Sequence, residues 1–241
     1  MIRFSAVFNF RDLGGYPAAA GTRVRHGRLY RSDTLSRLAD ADRERFSALG
    51  IRTVLDLRRP SEVERDGRVP DWDGLAYRHV HPEHAAWRKE WYDERAGVAR
   101  FLADRYLDLT EQGAPGLATA IGIIAEADAA PLVMHCVAGK DRTGVVAALV
   151  LALLGVCDDA IADDYARTAE SAARVTAWLR EHDPAAVART PRVFIAAPRE
   201  AMLEFLRDLR ARHGSVERYL AGAGLLLRQV DGLRAHLLTS S

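Results

Sequence analysis

"PLVMHCVAGKDRTGVVAALVLALLGV", residues 131–156, decides how the chain is read. Pro131 to His135 is a short apolar run of strand length, and Thr143 to Gly155 is an apolar run of helical length. Between them stand Cys136, Gly139, Lys140, Asp141, Arg142 and Gly144. A strand that turns tightly into a helix points successive backbone N–H groups inward and adds the positive end of the helix dipole. The stretch therefore predicts an anion-binding cup with a thiol at its centre.

The residues of the cup divide the work. Cations and a helix N-terminus favour the thiolate of Cys136, which is the nucleophilic form. The amides of Val137, Ala138, Gly139, Lys140, Asp141 and Arg142 suit the three oxygens of a phosphoryl group. Arg142, planar and permanently charged, grips two of those oxygens. Gly139 permits a positive φ and close backbone approach. Thr143 is placed to donate its hydroxyl to the sulfur, Gly144 to let the helix pack closely, and His135 to orient the loop. Fixed donors of this kind neutralise developing charge, so no metal or cofactor is expected. A Walker A loop would need glycine where Met134 stands, and no zinc-ligand spacing surrounds Cys136.

Working outward, "IRTVLDLRR" (51–59) and "LAYRHV" (75–80) read as strands closed by Pro60 and Pro82. Helices are expected over 39–50, 115–128, 143–155, 158–167, 170–182, 198–213 and 215–237, with one or two more within 87–109. A short helix after Pro60 would take Ser61 as cap, with Glu64 three residues on. Strands separated by helices predict an α/β fold: a central, mostly parallel sheet flanked by helices, with a largely helical C-terminal part. Nothing in composition divides residues 1–241, so a single domain is expected. The charged stretch that opens 83–112 makes that segment a candidate helical flap over the site.

Lys and Arg number 34 against 33 Asp and Glu, giving a net charge of +1. Anion affinity must then be local, and nucleic-acid binding is not implied. Two cysteines make no disulfide framework, and Cys157 reads as a buried apolar residue. "MIRFSAVFNFRDLGG" lacks a signal-peptide pattern, and "VVAALVLALLGV" is too short to cross a bilayer. A cytoplasmic protein without an integral membrane segment is expected, although signal-less secretion leaves no trace in a sequence. Nothing fixes an oligomeric state.

"HCVAGKDRTG" (135–144) resembles the signature of cysteine-dependent tyrosine and dual-specificity phosphatases. With "NFRDLGGY" (9–16), "LYRSDTLSRL" (29–38) and "VLDLRRPSE" (54–62), the chain is similar to a bacterial tyrosine-phosphatase family with a secreted mycobacterial member. The resemblance implies a tyrosine-phosphatase-like fold and phosphorylated protein or phosphoinositide substrates, and it marks Lys140 as an added cation for multiply phosphorylated head groups.

The leaving group needs a proton. The usual Trp-Pro-Asp loop is missing, since "PDWD" (70–73) has the wrong order and lies far upstream. Asp141 is the first candidate, with an ion pair to a nearby cation as its alternative role. Glu83 is the second. Arg11 and Asp12 are expected to brace the loop or, more simply, to serve in a structural ion pair. Asp56 and Arg58 are expected as supports behind it. His79, His81 and His84 could mimic a metal cluster but read more simply as surface or substrate-facing histidines. Trp87, Trp91 and Tyr92 could line the mouth. The competing class is a non-catalytic phosphate-binding pseudophosphatase, which would have no use for the nucleophile.

Overall fold

The computed structural model describes residues 1–72, 74–189 and 191–240, which leaves Asp73 of the "PDWD" stretch outside the described residues. The strands are β1 (Arg11–Asp12), β2 (Thr22–Val24), β3 (Leu29–Ser32), β4 (Thr53–Asp56), β5 (Ala76–His79), β6 (Leu132–His135) and β7 (Leu238–Ser240). The first helices are α1 (Arg43–Ser47), α2 (Pro60–Asp66), α3 (Gly97–Gln112) and α4 (Ala114–Ile124). Beyond β6 follow α5 (Asp141–Leu153), α6 (Asp158–Ala166), α7 (Ala169–His182), α8 (Pro184–Arg189), α9 (Arg192–Ile195), α10 (Arg199–His213), α11 (Val216–Gly222) and α12 (Leu227–Leu237).

One sheet runs in the order β1-β3-β6-β4-β5, parallel except for β1, which pairs antiparallel at the edge. Side chains alternate across it. Leu132 and Met134 of β6 enter a core with α3, α5 and α10, while Val133 enters a second core with Phe10, Phe46 and Trp72. Both faces are covered, which is why the inner strands read as unbroken apolar runs. Helix α5 is buried along nearly its whole length, so its sequence carries almost no polar stripe.

The register brings Ser32 and Asp56 level with His135 on either side. Three parallel strands thus end together, at the edge where α/β sheets bind ligands. The loop 136–140 leaves from that edge.

Several expectations need correcting. The helix expected over 215–237 breaks after Gly222, and Gly224 takes φ +101°, which no side-chain-bearing residue holds cheaply. β7 then closes an antiparallel ribbon with β2. Cys157 is exposed, because it stands in extended backbone at the N-cap of α6 rather than inside a helix. The α3 half of the proposed 83–112 flap is anchored in the core through Phe101, Leu102, Tyr106 and Leu109. Only 83–96 remains irregular, apart from a short turn at Lys89–Trp91.

Candidate active site

Gly139 has φ +62°, and a Cβ there would lie 2.2 Å from the Ser32 carbonyl oxygen. The loop can pass the end of β3 only because that atom is missing. Its carbonyls are held from outside. Thr34 N–H donates to Val137 O at 3.0 Å, and Asn9 Nδ2 donates to Ala138 O and Gly139 O, both at 3.1 Å. Arg31 Nη2 donates to Gly139 O at 2.6 Å. The carbonyls of Val137, Ala138 and Gly139 are thus bonded from outside the loop, and Cys136, 2% exposed, stands directly after β6.

The outer ties are anchored by a buried carboxylate. Asp164 of α6 receives Arg11 Nε at 2.8 Å and Arg31 Nη1 at 2.6 Å, and all three side chains are at most 2% exposed. Burial opposes the Asp164 charge, and the two guanidinium groups override it, pulling the carboxyl down to about 2. Arg11 also donates to the Asn9 side chain, which passes the restraint to the loop. Asp12 does something else. It accepts from Gly14 N–H and Gly27 N–H and meets His26, so it closes a turn and neither pairs with Arg11 nor touches the phosphate loop.

Arg142 is positioned from the other side. Its Nη1 donates to Glu62 Oε2 at 2.6 Å and to Leu57 O at 3.1 Å, and its Nη2 donates to Glu62 Oε1 at 3.0 Å. Burial works against this charge, but Cys136 and Glu62 beside it hold the guanidinium protonated. Leu57 is fixed because Asp56 and Arg58, flanking it, form a fully buried ion pair at 2.6 Å. Tyr77 donates a further hydrogen bond to Asp56 Oδ2 at 2.9 Å. Leu57 N–H donates to His135 O at 2.8 Å. Burial opposes the Asp56 charge, while His135 and Arg58 beside it pull the carboxyl down to about 2, and burial lowers His135 to about 4. Neutral His135 sets Nδ1 3.2 Å from the Cys136 carbonyl.

Asp141 lines a depression with Arg142, Arg59, His84, Ala86, Trp87 and Phe194. Its Oδ1 accepts from Tyr106 OH at 2.8 Å and lies 3.2 Å from Lys140 Nζ. Lys140 differs from its expected part. It is 2% exposed and donates to Phe194 O at 2.7 Å and Ala196 O at 2.9 Å, because a buried ammonium takes whatever acceptors surround it. Val137, Ala138 and Lys140 border a second, more apolar depression along α7, which shares Phe194 with the first. The Thr143 hydroxyl is fully buried with no partner among the described residues. A Cβ on Gly144 would meet Tyr165 at 3.2 Å and Arg31 at 3.4 Å, so this glycine keeps α5 against β3 and α6.

Glu83 is exposed and lines a different hollow, with His81, Gln112 and Gly116. The histidine group divides: His79 bonds Arg58 O at 2.8 Å, and His84 bonds Ala85 O at 2.8 Å. Trp87 walls the depression, whereas Tyr92 packs on Phe101 and Trp91 lies under Arg105.

Sequence reading missed Glu62, Asn9, Arg31 and Asp164. One of them had a signal. Proline favours the first helical position, and α2 does start at Pro60 with Arg59 as N-cap. Glu62 is then the third helical residue, where its Oε2 accepts the Arg59 N–H at 2.7 Å, in place of the expected Ser61–Glu64 pair.

The model of the tyrosine phosphatase family matches residues 2–239. The triple specificity protein phosphatase PtpB of Mycobacterium tuberculosis is 31% identical over 270 aligned residues, covering 96% of each chain. A putative tyrosine-protein phosphatase of Cupriavidus necator is 32% identical, covering 98% of this chain and 88% of its own. A tyrosine-protein phosphatase of Nostoc commune is 31% identical over 64% of this chain and 52% of its own. A cysteine and an arginine braced at the mouth of a strand–loop–helix turn, matched over nearly the full length, place this chain in the tyrosine phosphatase family, as a phosphatase.

Proposed function

We propose that the chain hydrolyses phosphomonoesters through a phosphocysteine intermediate, with phosphotyrosine as the first substrate class and phosphoserine, phosphothreonine and phosphoinositides as further ones. The Cys136 thiolate attacks phosphorus while the P–O ester bond breaks, and the departing oxygen takes a proton from Asp141. Water then attacks phosphorus, the P–S bond breaks and Asp141 recovers a proton from that water. Thr143, whose buried hydroxyl lacks another acceptor, supports the returning thiolate. Arg142 follows the equatorial oxygens throughout.

The observation that carries this reading is the double clamp on Arg142 by Glu62 beside a loop whose Val137, Ala138 and Gly139 carbonyls are bonded from outside it. A simple binder needs neither a buried thiol nor an orphaned hydroxyl behind it. The breadth of substrates is supported by the triple specificity named for the mycobacterial relative. Cys136→Ser tests the mechanism: turnover of p-nitrophenyl phosphate should vanish while the fold persists. Turnover retained in that variant overturns the intermediate.

A further inference from the structure

The cations that brace the phosphate loop each have a partner that consumes their charge. Arg11 and Arg31 share Asp164, Arg58 holds Asp56, Arg142 holds Glu62, and Lys140 is spent on two carbonyls and Asp141. Arg59 is different. It is half-buried and lines the depression that also holds Arg142 and Asp141. Its Nη2 has only long contacts with His84, at 3.4 and 3.5 Å to the ring nitrogens and 3.4 Å to the carbonyl oxygen. No carboxylate among the described residues pairs with it. Glu62 gives both oxygens to Arg142 and takes only the backbone N–H of Arg59. Burial and the nearby Arg142 weigh against the Arg59 charge, and the pull of Glu62, already committed to Arg142, only partly offsets them. A partly dehydrated guanidinium with no ion pair of its own among the described residues, beside an oxyanion cup, is complementary to a second anion on the same substrate.

Resting on the phosphatase reading, we infer that Arg59 forms a subsite for a carboxylate next to the phosphorylated residue of an acidic peptide. One unpaired cation matches one carboxylate. A head group with further phosphates would bring more charge than Arg59 alone can meet, because Lys140 is committed elsewhere and Asp141 borders the same space. Ala86, Trp87 and Phe194 give the methylene stem of an aspartate or glutamate an apolar wall.

The test compares kcat/KM of the full chain on two phosphotyrosine peptides, one flanked by glutamates and one by glutamines, with a soluble inositol bisphosphate as a third substrate. The glutamate peptide should be preferred about tenfold by the unaltered chain, the worth of one charge-assisted contact. In Arg59→Gln that ratio should collapse to near one, and Arg59→Lys should restore part of it by returning the charge without the fork. An equal ratio in the unaltered chain and Arg59→Gln overturns the subsite. So does a larger loss on inositol bisphosphate than on the glutamate peptide, which would hand the subsite to a phosphorylated head group. Turnover of p-nitrophenyl phosphate without peptide discrimination removes the subsite alone; no turnover by the unaltered chain removes the phosphatase reading and the subsite together.

Discussion

Glu62 holds both terminal nitrogens of Arg142, at 2.6 and 3.0 Å, so the guanidinium fork is held in one orientation. Preorganisation of this kind spares the reaction the cost of ordering a long side chain in the transition state. Glu62→Gln keeps the shape and removes the charge. A hydrogen bond to a charged group is worth about 1.5–3 kcal/mol, so kcat/KM on p-nitrophenyl phosphate should fall roughly 10- to 100-fold. A melting temperature near that of the unaltered chain should accompany the loss. A kcat/KM that does not change would mean that Arg142 finds its geometry without Glu62.

Asp164 neutralises two arginines from a helix that starts more than twenty residues after the cysteine. Removing one partner of a buried charge cluster leaves the others uncompensated, which costs about 3–5 kcal/mol. Asp164→Asn should therefore lower the unfolding free energy read from urea titration by that amount, with both Arg11 and Arg31 left short of an anion. A loss below about 1 kcal/mol would show the cluster relaxing into water, as surface pairs do.

His135 gives a pH signature. Burial lowers it from 6.5 to about 4 in the fold. Between those values the unfolded chain binds a proton that the folded chain refuses, so stability falls as pH drops from 6.5 towards 4. The contribution is whole above 6.5, and the total loss below the folded value amounts to about 3 kcal/mol. His84, also lowered to about 4 by burial, adds a loss of the same sign. The share of His135 is the difference between the unaltered chain and His135→Asn in urea unfolding at pH 7.0 and about pH 4.5. Identical pH slopes in the two proteins would mean that His135 is not the proton acceptor.

The strand, loop and helix around Cys136 were legible because local signals agree there: an apolar run, a glycine that must turn, and a second apolar run too long for a strand. Arg11 forms the structural ion pair that its sequence position allowed, but its partner was not legible. Adjacent residues on a strand point to opposite faces, so Arg11 looks inward to Asp164 while Asp12 looks outward to His26. Asp164 itself lies 153 residues from Arg11 in sequence, and no local pattern encodes that approach. Lys140 illustrates the reverse. Its position beside the cysteine suggested a phosphate ligand, yet the covering backbone at Phe194 and Ala196 supplies its acceptors. Only the folded chain brings that segment over the loop.

The general acid separates by leaving group. Asp141 has one carboxyl oxygen engaged by Tyr106 and Lys140 and stands at the depression beside Arg142, while Glu83 lines another hollow. p-Nitrophenolate departs readily without a proton, whereas phenolate and alkoxides do not. Asp141→Asn should therefore lose little on p-nitrophenyl phosphate and roughly 100-fold or more on phenyl phosphate, the usual scale of acid–base catalysis. Glu83→Gln should lower neither rate. A plain ion-pair role for Asp141 would instead depress both substrates by the same factor, because a displaced loop harms every phosphoryl group alike. Should the leaving-group-dependent loss appear in Glu83→Gln and not in Asp141→Asn, the proton comes from the segment after β5, and the loop carboxylate only shapes the cup.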